Sequence, residues 1–278
     1  MTSKTKESSM RTQRMVRHPV REVWDEGRVA LTSWCSIPSP YTAEALALLD
    51  YDCMVIDMQH GMIDFSDMVR MLQGIEASGL SAMVRLPWND VGLAQKVLDA
   101  GASGLICPMV NNREECARFV GACHYPPLGY RSFGGLRSSS YYDEIGEVFT
   151  RSREAILVFA MIETVEAMRN AEAIASVPGL DGIFFGPADL SASAGRAPAV
   201  GVNDGFIDEA HRTIIDLCRR HGLKAGINAM SPQAAVTLAE TGYEFIPLHS
   251  DLGLFRELGT ATLREARAAL GGGSRAGA

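Results

Sequence analysis

Glu163 follows an uninterrupted apolar run, residues 156–162. A carboxylate set just past a buried strand needs a partner or a metal ion to offset its desolvation. Asp189 stands behind Gly186-Pro187-Ala188 in a similar place, at the end of the apolar run 182–185. Two carboxylates on neighbouring strands are the usual protein share of a magnesium or manganese site, the other positions falling to water and substrate oxygen. Such an ion is one of two common ways to stabilise an enolate in aldol chemistry, the other being a Schiff-base lysine. The lysines are Lys4, Lys6, Lys96 and Lys224. Two lie in the N-terminal segment, one is mid-helix and one opens a strand, so position disfavours the Schiff base. His60 brings an imidazole, the side chain most often used to move a proton. Arg85 can fork onto a carboxylate or keto oxygen, and the amides of Ala188 and Asp189 open a helix, where anions bind. Each has a structural alternative: Asp189 as a helix N-cap, Arg85 in a surface ion pair, His60 as a simple loop residue.

These residues share one kind of position. From residue 29 onward, a short apolar or β-branched run, a turn and a helix-length amphipathic stretch alternate. Expected strands are 29–34, 53–57, 82–86, 104–108, 156–162, 182–185, 224–228 and 243–248. Eight βα units close a parallel barrel, so the fold class is α/β, a single-domain (β/α)8 TIM barrel. Its reactive groups belong at the carboxyl ends of the strands, where Asp57, His60, Arg85, Glu163 and Asp189 fall. Residues 24–270 form the expected barrel domain, with a flexible arm at 1–23 and a flexible tail at 271–278. The longest connection, 125–142, has Pro126-Pro127, Gly129 and Gly134-Gly135. Together with 249–251 it is expected to shape a pocket.

Composition excludes several classes of function. The net charge is -7 with scattered arginines, which gives no basic stripe for nucleic acid. No apolar run is long enough for a membrane span and no secretory signal opens the chain, so a cytoplasmic protein is expected. Cys35, Cys53, Cys107, Cys116, Cys123 and Cys218 lack zinc-site spacing and read as reduced core residues. Cys116, Cys123 and His124 make a conceivable ligand cluster, but the seven-residue step is ordinary core spacing.

Six segments, D-M-Q-H-G (57–61), V-R-L-P-W-N-D (84–90), L-D-A-G-A-S-G (98–104), Y-P-P-L-G-Y-R-S-F-G (125–134), M-I-E-T (161–164) and P-G-L-D-G-I-F-F-G-P-A-D-L-S (178–191), together resemble the HpcH/HpaI family of class II pyruvate aldolases, over residues 27–265. The resemblance implies a divalent metal (Mg2+, Mn2+ or Co2+) held by Glu163 and Asp189 and chelated by pyruvate, with no Schiff-base lysine and no organic cofactor. It implies that His60 is the acid/base on the aldol hydroxyl and that Arg85 stabilises the enolate oxygen. It places the substrate on the Gly186-Pro187-Ala188 turn, with the Ala188 amide on its carboxylate. Asp99 matches the aspartate thought to orient the histidine, yet it ends a helix on the side of the barrel away from the rim. Either a neighbouring subunit contributes it or Asp57 does that job. A homohexamer, a trimer of dimers exchanging C-terminal helices, is also implied, and the apolar stretch within 252–270 suits it; packing on its own barrel is the alternative. The chain departs from the family with Gln59 and Met161, where members often carry glutamate and glutamine; Met161 removes a hydrogen-bonding group beside the metal.

The expected activity is (retro-)aldol cleavage of a 4-hydroxy-2-oxo acid, of the 2,4-dihydroxyhept-2-enedioate or 2-dehydro-3-deoxy-sugar-acid type, to pyruvate and an aldehyde. Oxaloacetate decarboxylation passes through the same enolate. A citrate-lyase-like enzyme acting on a CoA thioester shares the barrel but would need a basic cluster for the nucleotide. A noncatalytic 2-oxo acid binding protein is the alternative of another class.

Overall fold

Period-two alternation inside short strands decides the architecture. In the fifth strand Leu157, Phe159 and Met161 pack into one cluster with Trp34, Val55, Met83, Ile106, Phe184 and Phe245. Val158, Ala160 and Ile162 pack the other way, against Met68, Leu98, Phe119 and Ile174 of the surrounding helices. Both faces are buried, as a parallel sheet wrapped in helices requires. The computed structural model describes residues 17–135, 137, 145–198 and 205–271.

The strands are β1 (Ala30–Cys35), β2 (Cys53–Asp57), β3 (Ala82–Arg85), β4 (Gly104–Cys107), β5 (Leu157–Ile162), β6 (Gly182–Phe185), β7 (Lys224–Gly226) and β8 (Phe245–Ser250). They run parallel in sequence order and close β8 onto β1. The expected (β/α)8 barrel is therefore the fold. The strand ends moved little, most at β7, which stops at Gly226, and β8, which starts two residues late.

The helices are α1 (Pro19–Asp25), α2 (Pro40–Ala47), α3 (Phe65–Ala77), α4 (Val91–Asp99), α5 (Arg113–Cys123), α6 (Ile145–Ala155), α7 (Val165–Arg169), α8 (Ala171–Ala175), α9 (Pro187–Ser193), α10 (Gly205–His221), α11 (Pro232–Thr241) and α12 (Asp251–Ala269). Side-chain caps start several of them: Asp64 on α3, Asp90 on α4, Asn112 on α5 and Thr164 on α7. None of the described helices is long and apolar enough to cross a membrane.

The N-terminal arm requires a correction. Residues 19–23, expected to be flexible, belong to α1, which closes the amino-terminal end of the barrel. Val20, Val23 and Trp24 join the interior cluster, and Trp24 Nε1 donates to the Glu244 carbonyl at 2.8 Å. Arg21 reaches the buried Asp181 at 2.8 Å. His18, wholly buried, places Nε2 3.0 Å from Ser103 Oγ. Residues 1–16 of the expected arm, 272–278 of the expected tail and part of the 125–142 connection lie outside the described residues.

Candidate active site

The same alternation carries into the strand ends. Asp57 continues the inward phase of Cys53 and Val55, Arg85 that of Met83, and Glu163 that of Met161. A slip of one residue would turn each of them into the helical layer. Register sets Asp57 beside Arg85, and the guanidinium forks onto the carboxylate, Nε to Oδ1 at 2.8 Å and Nη2 to Oδ2 at 2.6 Å. Asp57 Oδ1 also accepts from the amides of Gln59 and His60, at 3.1 and 3.3 Å. Arg85 lies over the Trp34 ring, 4.6 Å from its centroid. One edge and one face of the guanidinium are therefore fixed before any substrate arrives.

Glu163 is 1 % exposed. Its Oε1 accepts from the Met109 amide at 2.7 Å. Burial pushes its carboxyl up to about 7, and the charge of Asp189 adds to the rise; the Met109 amide and the Arg85 charge act against it. The neighbouring strand end had to be glycine: a Cβ on Gly186 would lie 2.6 Å from Glu163 Oε2. Gly186 is also the N-cap of α9 and makes no side-chain cap, Pro187 follows it, and Asp189 sits in the first turn. Asp189 is thus not a helix N-cap. The amides of Ala188 and Asp189 are among those a helix leaves without an internal acceptor.

Arg85, Glu163, Gly186, Pro187, Ala188 and Asp189 line one cavity of about 290 Å³ at the carboxyl ends of the strands, together with Asp57. Residues that sequence reasoning did not assign complete its wall, Trp34 of β1, Ser36 just after it, and Ile227, Asn228 and Met230 after β7, while Ser250 of β8 falls in the 249–251 stretch expected to shape a pocket. Trp34 and Asn228 had a signal in their place at expected strand ends. The Met109 amide had none, because a backbone group carries no residue type.

Two expected residues lie elsewhere. His60 is exposed in the turn after β2 and does not line the cavity. Asp99, at the end of α4, is on the opposite side of the barrel within this chain and pairs with Arg131 at 2.7 Å. Residues 126–135 do not line the cavity either; they follow a helix, which places them at the end away from the strand termini. All six cysteines are buried and unpaired. His124 spends Nε2 on the Gly179 carbonyl, at 2.9 Å, so the cysteine-histidine cluster remains part of the core.

The donor set fits a hard divalent cation. Glu163 is a desolvated carboxylate beside a second carboxylate, and Arg85, the cation acting on it, is held by Asp57. Two acids are short of a full cage: no cluster of three metal-ligating side chains occurs among the described residues. Water and substrate oxygens would fill the remaining positions.

Fold and site together define a (β/α)8-barrel enzyme whose polar centre sits at the carboxyl ends of its strands. The chain belongs to the HpcH/HpaI aldolase/citrate lyase family, whose model matches residues 31–257. It is 42% identical over 250 residues, 90% of this chain and 98% of the relative, to a hydroxypyruvate/pyruvate aldolase of Rhizorhabdus wittichii. It is 34% identical, over 81% of this chain and 87% of the relative, to a 2-dehydro-3,6-dideoxy-6-sulfogluconate aldolase of Pseudomonas putida. A family member of known structure from Burkholderia cenocepacia superposes with a TM-score of 0.82 at 28% identity, covering 89% of this chain and 98% of the other.

Proposed function

We propose that the protein is a divalent-metal-dependent pyruvate aldolase that cleaves a 4-hydroxy-2-oxo acid, of the sugar-acid type, to pyruvate and a short aldehyde. The observation that carries this reading is the buried Glu163, whose carboxyl burial and Asp189 push up to about 7, in a cavity of small-molecule size. Relatives named as pyruvate and sugar-acid aldolases support the reaction class.

Glu163 and Asp189 would hold the metal, with Mg2+, Mn2+ or Co2+ as candidates. When bound, it supplies a Lewis acid for the keto oxygen of the substrate. The chain's own groups do the rest. The Ala188 and Asp189 amides bind the substrate carboxylate at the start of α9. Arg85, with Nε and one Nη2 hydrogen committed to Asp57, offers its remaining N–H groups to the negative charge that develops on the keto oxygen. Trp34, Phe184 and Met161 keep water from that carbon, and the wall formed by Asn228, Met230 and Ser250 receives the aldehyde half.

His60 takes the proton from the aldol hydroxyl. Asp57 is a poor choice to orient it, since Arg85 and two amides already occupy that carboxylate. Asp99 of a second copy is the better one: its side chain is 33% exposed despite the Arg131 contact. We therefore read the active unit as a homo-oligomer, a hexamer built as a trimer of dimers with exchanged C-terminal helices. Helix α12 supports this, since it buries only Asp251 and exposes Leu252, Phe255, Leu258 and Leu263.

Exchange of the pyruvate methyl protons with deuterated water, followed by NMR, tests the reading without knowledge of the aldehyde. Exchange that needs added Mn2+ or Mg2+ and stops with chelator is expected. Full exchange after chelation would overturn the metal's role, and no exchange under any condition would favour a noncatalytic binder.

A further inference from the structure

Glu163 is held by more than its burial. Met109, whose amide binds Glu163 Oε1, has φ 55, a left-handed backbone that residues other than glycine rarely adopt. Only one other described non-glycine residue, His249, has a positive φ. Asn111 bonds to it from two residues further on. Its Nδ2 donates to the Met109 carbonyl at 3.0 Å, while its Oδ1 accepts from the hydroxyl of Thr164, the residue directly after Glu163. Thr164 Oγ1 in turn accepts from the Ala167 amide at 2.9 Å, which fixes the direction of its own proton.

These contacts close a ring, running from Glu163 through the Met109 peptide and the Asn111 side chain to Thr164 and back along the chain. The main chain of Asn111 is pinned as well: its amide donates to Glu115 Oε2 and its carbonyl accepts from Asn170 Nδ2, both at 2.8 Å. Every polar atom of Asn111 is thus used, and the ring leaves Glu163 one oxygen, Oε2, with no hydrogen-bond partner among the described residues. That oxygen lies against Gly186 on the cavity wall.

We propose that Asn111 is a positioning residue for the metal site. By holding the Met109 peptide in its left-handed conformation, it commits Glu163 Oε1 to the protein and reserves Oε2 for the cation. This rests on the metal-dependent reading above. Asn111 touches no part of the cavity, so its effect passes through Glu163 alone. An ordinary loop-stabilising asparagine would affect folding and leave metal affinity unchanged.

The test measures Mn2+ binding by electron paramagnetic resonance on the full chain without substrate, alongside thermal melting. Asn111→Leu keeps the size and removes both side-chain bonds, and is expected to weaken Mn2+ binding about 10–100-fold, the usual cost of losing a group that orients a metal ligand. Thr164→Val should weaken it in the same direction, and Thr164→Ser, which keeps the hydroxyl, should restore it. This pair keeps the proposal testable if Asn111→Leu does not fold. A lowered melting temperature with unchanged Mn2+ affinity in both disruptive variants would overturn the assignment. Failure of the wild-type protein to bind Mn2+ at all would overturn the metal reading beneath it, before any variant is compared.

Discussion

At the scale of single residues, the site is built from charges kept where they are least comfortable. Glu163 is desolvated, and its neighbours Asp189 and Arg85 pull its carboxyl in opposite directions. Glu163→Gln keeps the shape and removes the charge. We expect it to abolish Mn2+ binding and turnover while raising the melting temperature of chelator-treated protein by roughly 2–4 °C, as a gain of about 1 kcal/mol does at this chain length. A melting temperature that falls would mean that the carboxylate is better solvated than its burial implies. His60→Ala should instead spare Mn2+ binding and lower the cleavage rate about 100-fold or more, as loss of a general acid/base does. Glu163 and Arg85 were legible in the sequence because a charge after an apolar run is a physical anomaly. The Met109 amide and the role of Asn111 were not, since they depend on a backbone angle that no residue type announces.

At the scale of elements, strand phase positions the chemistry and helix α1 supports it. Gly186 shows how tight the join between β6 and α9 is. Gly186→Ala would drive a methyl group toward Glu163 Oε2, to the 2.6 Å that an added Cβ meets there. We expect at least a 10-fold loss of metal affinity, with a circular dichroism spectrum like that of the wild type. Helix α1 brings a different liability. Burial lowers His18 from its ordinary 6.5 to about 3, with the Arg21 charge adding to the effect. The unfolded chain therefore takes up this proton between those values and the folded chain does not. Stability is complete above about 6.5 and is lost as pH falls through that window, by roughly 1.4 kcal/mol per unit. Urea denaturation at pH 7 and pH 5 should show the wild type losing about 2 kcal/mol more than His18→Gln; equal losses would contradict it. The eight strands were legible from their repeated apolar runs. Helix α1 was not, because seven residues with three apolar positions are too few to establish a helical period.

At the scale of the whole molecule, most of the barrel completes itself and one part does not. Helix α12 touches β1 and β8 but exposes Phe255 at 62% and Leu258 at 71%, large apolar side chains one turn apart of the kind that gather at interaction surfaces. With Thr42, Ala45 and Leu46 of helix α2 it lines an apolar groove of about 590 Å³. Phe255→Asp combined with Leu258→Asp is expected to shift the light-scattering mass from oligomer to monomer. Turnover should fall with it if Asp99 serves a neighbouring His60. An unchanged mass would remove the oligomer from the proposal. The chain's own fold could be read from sequence because each βα unit repeats one local rule. Whether copies of the chain assemble could not, because an apolar helix face reads the same whether its own barrel or another copy covers it.

Val20, Val23 and Trp24 pack beneath Phe159 in a filled barrel interior, so the cavity lined by the described residues is entered from the carboxyl ends of the strands. We expect an order in the traffic through that entrance: pyruvate, held at the metal site in the proposed reaction, goes in first and comes out last. In the cleavage direction pyruvate should then compete with the substrate for the free enzyme, while the aldehyde, released earlier, should inhibit noncompetitively. Steady-state inhibition patterns would reveal this, and competitive behaviour by both products would mean that they pass one another on the way out.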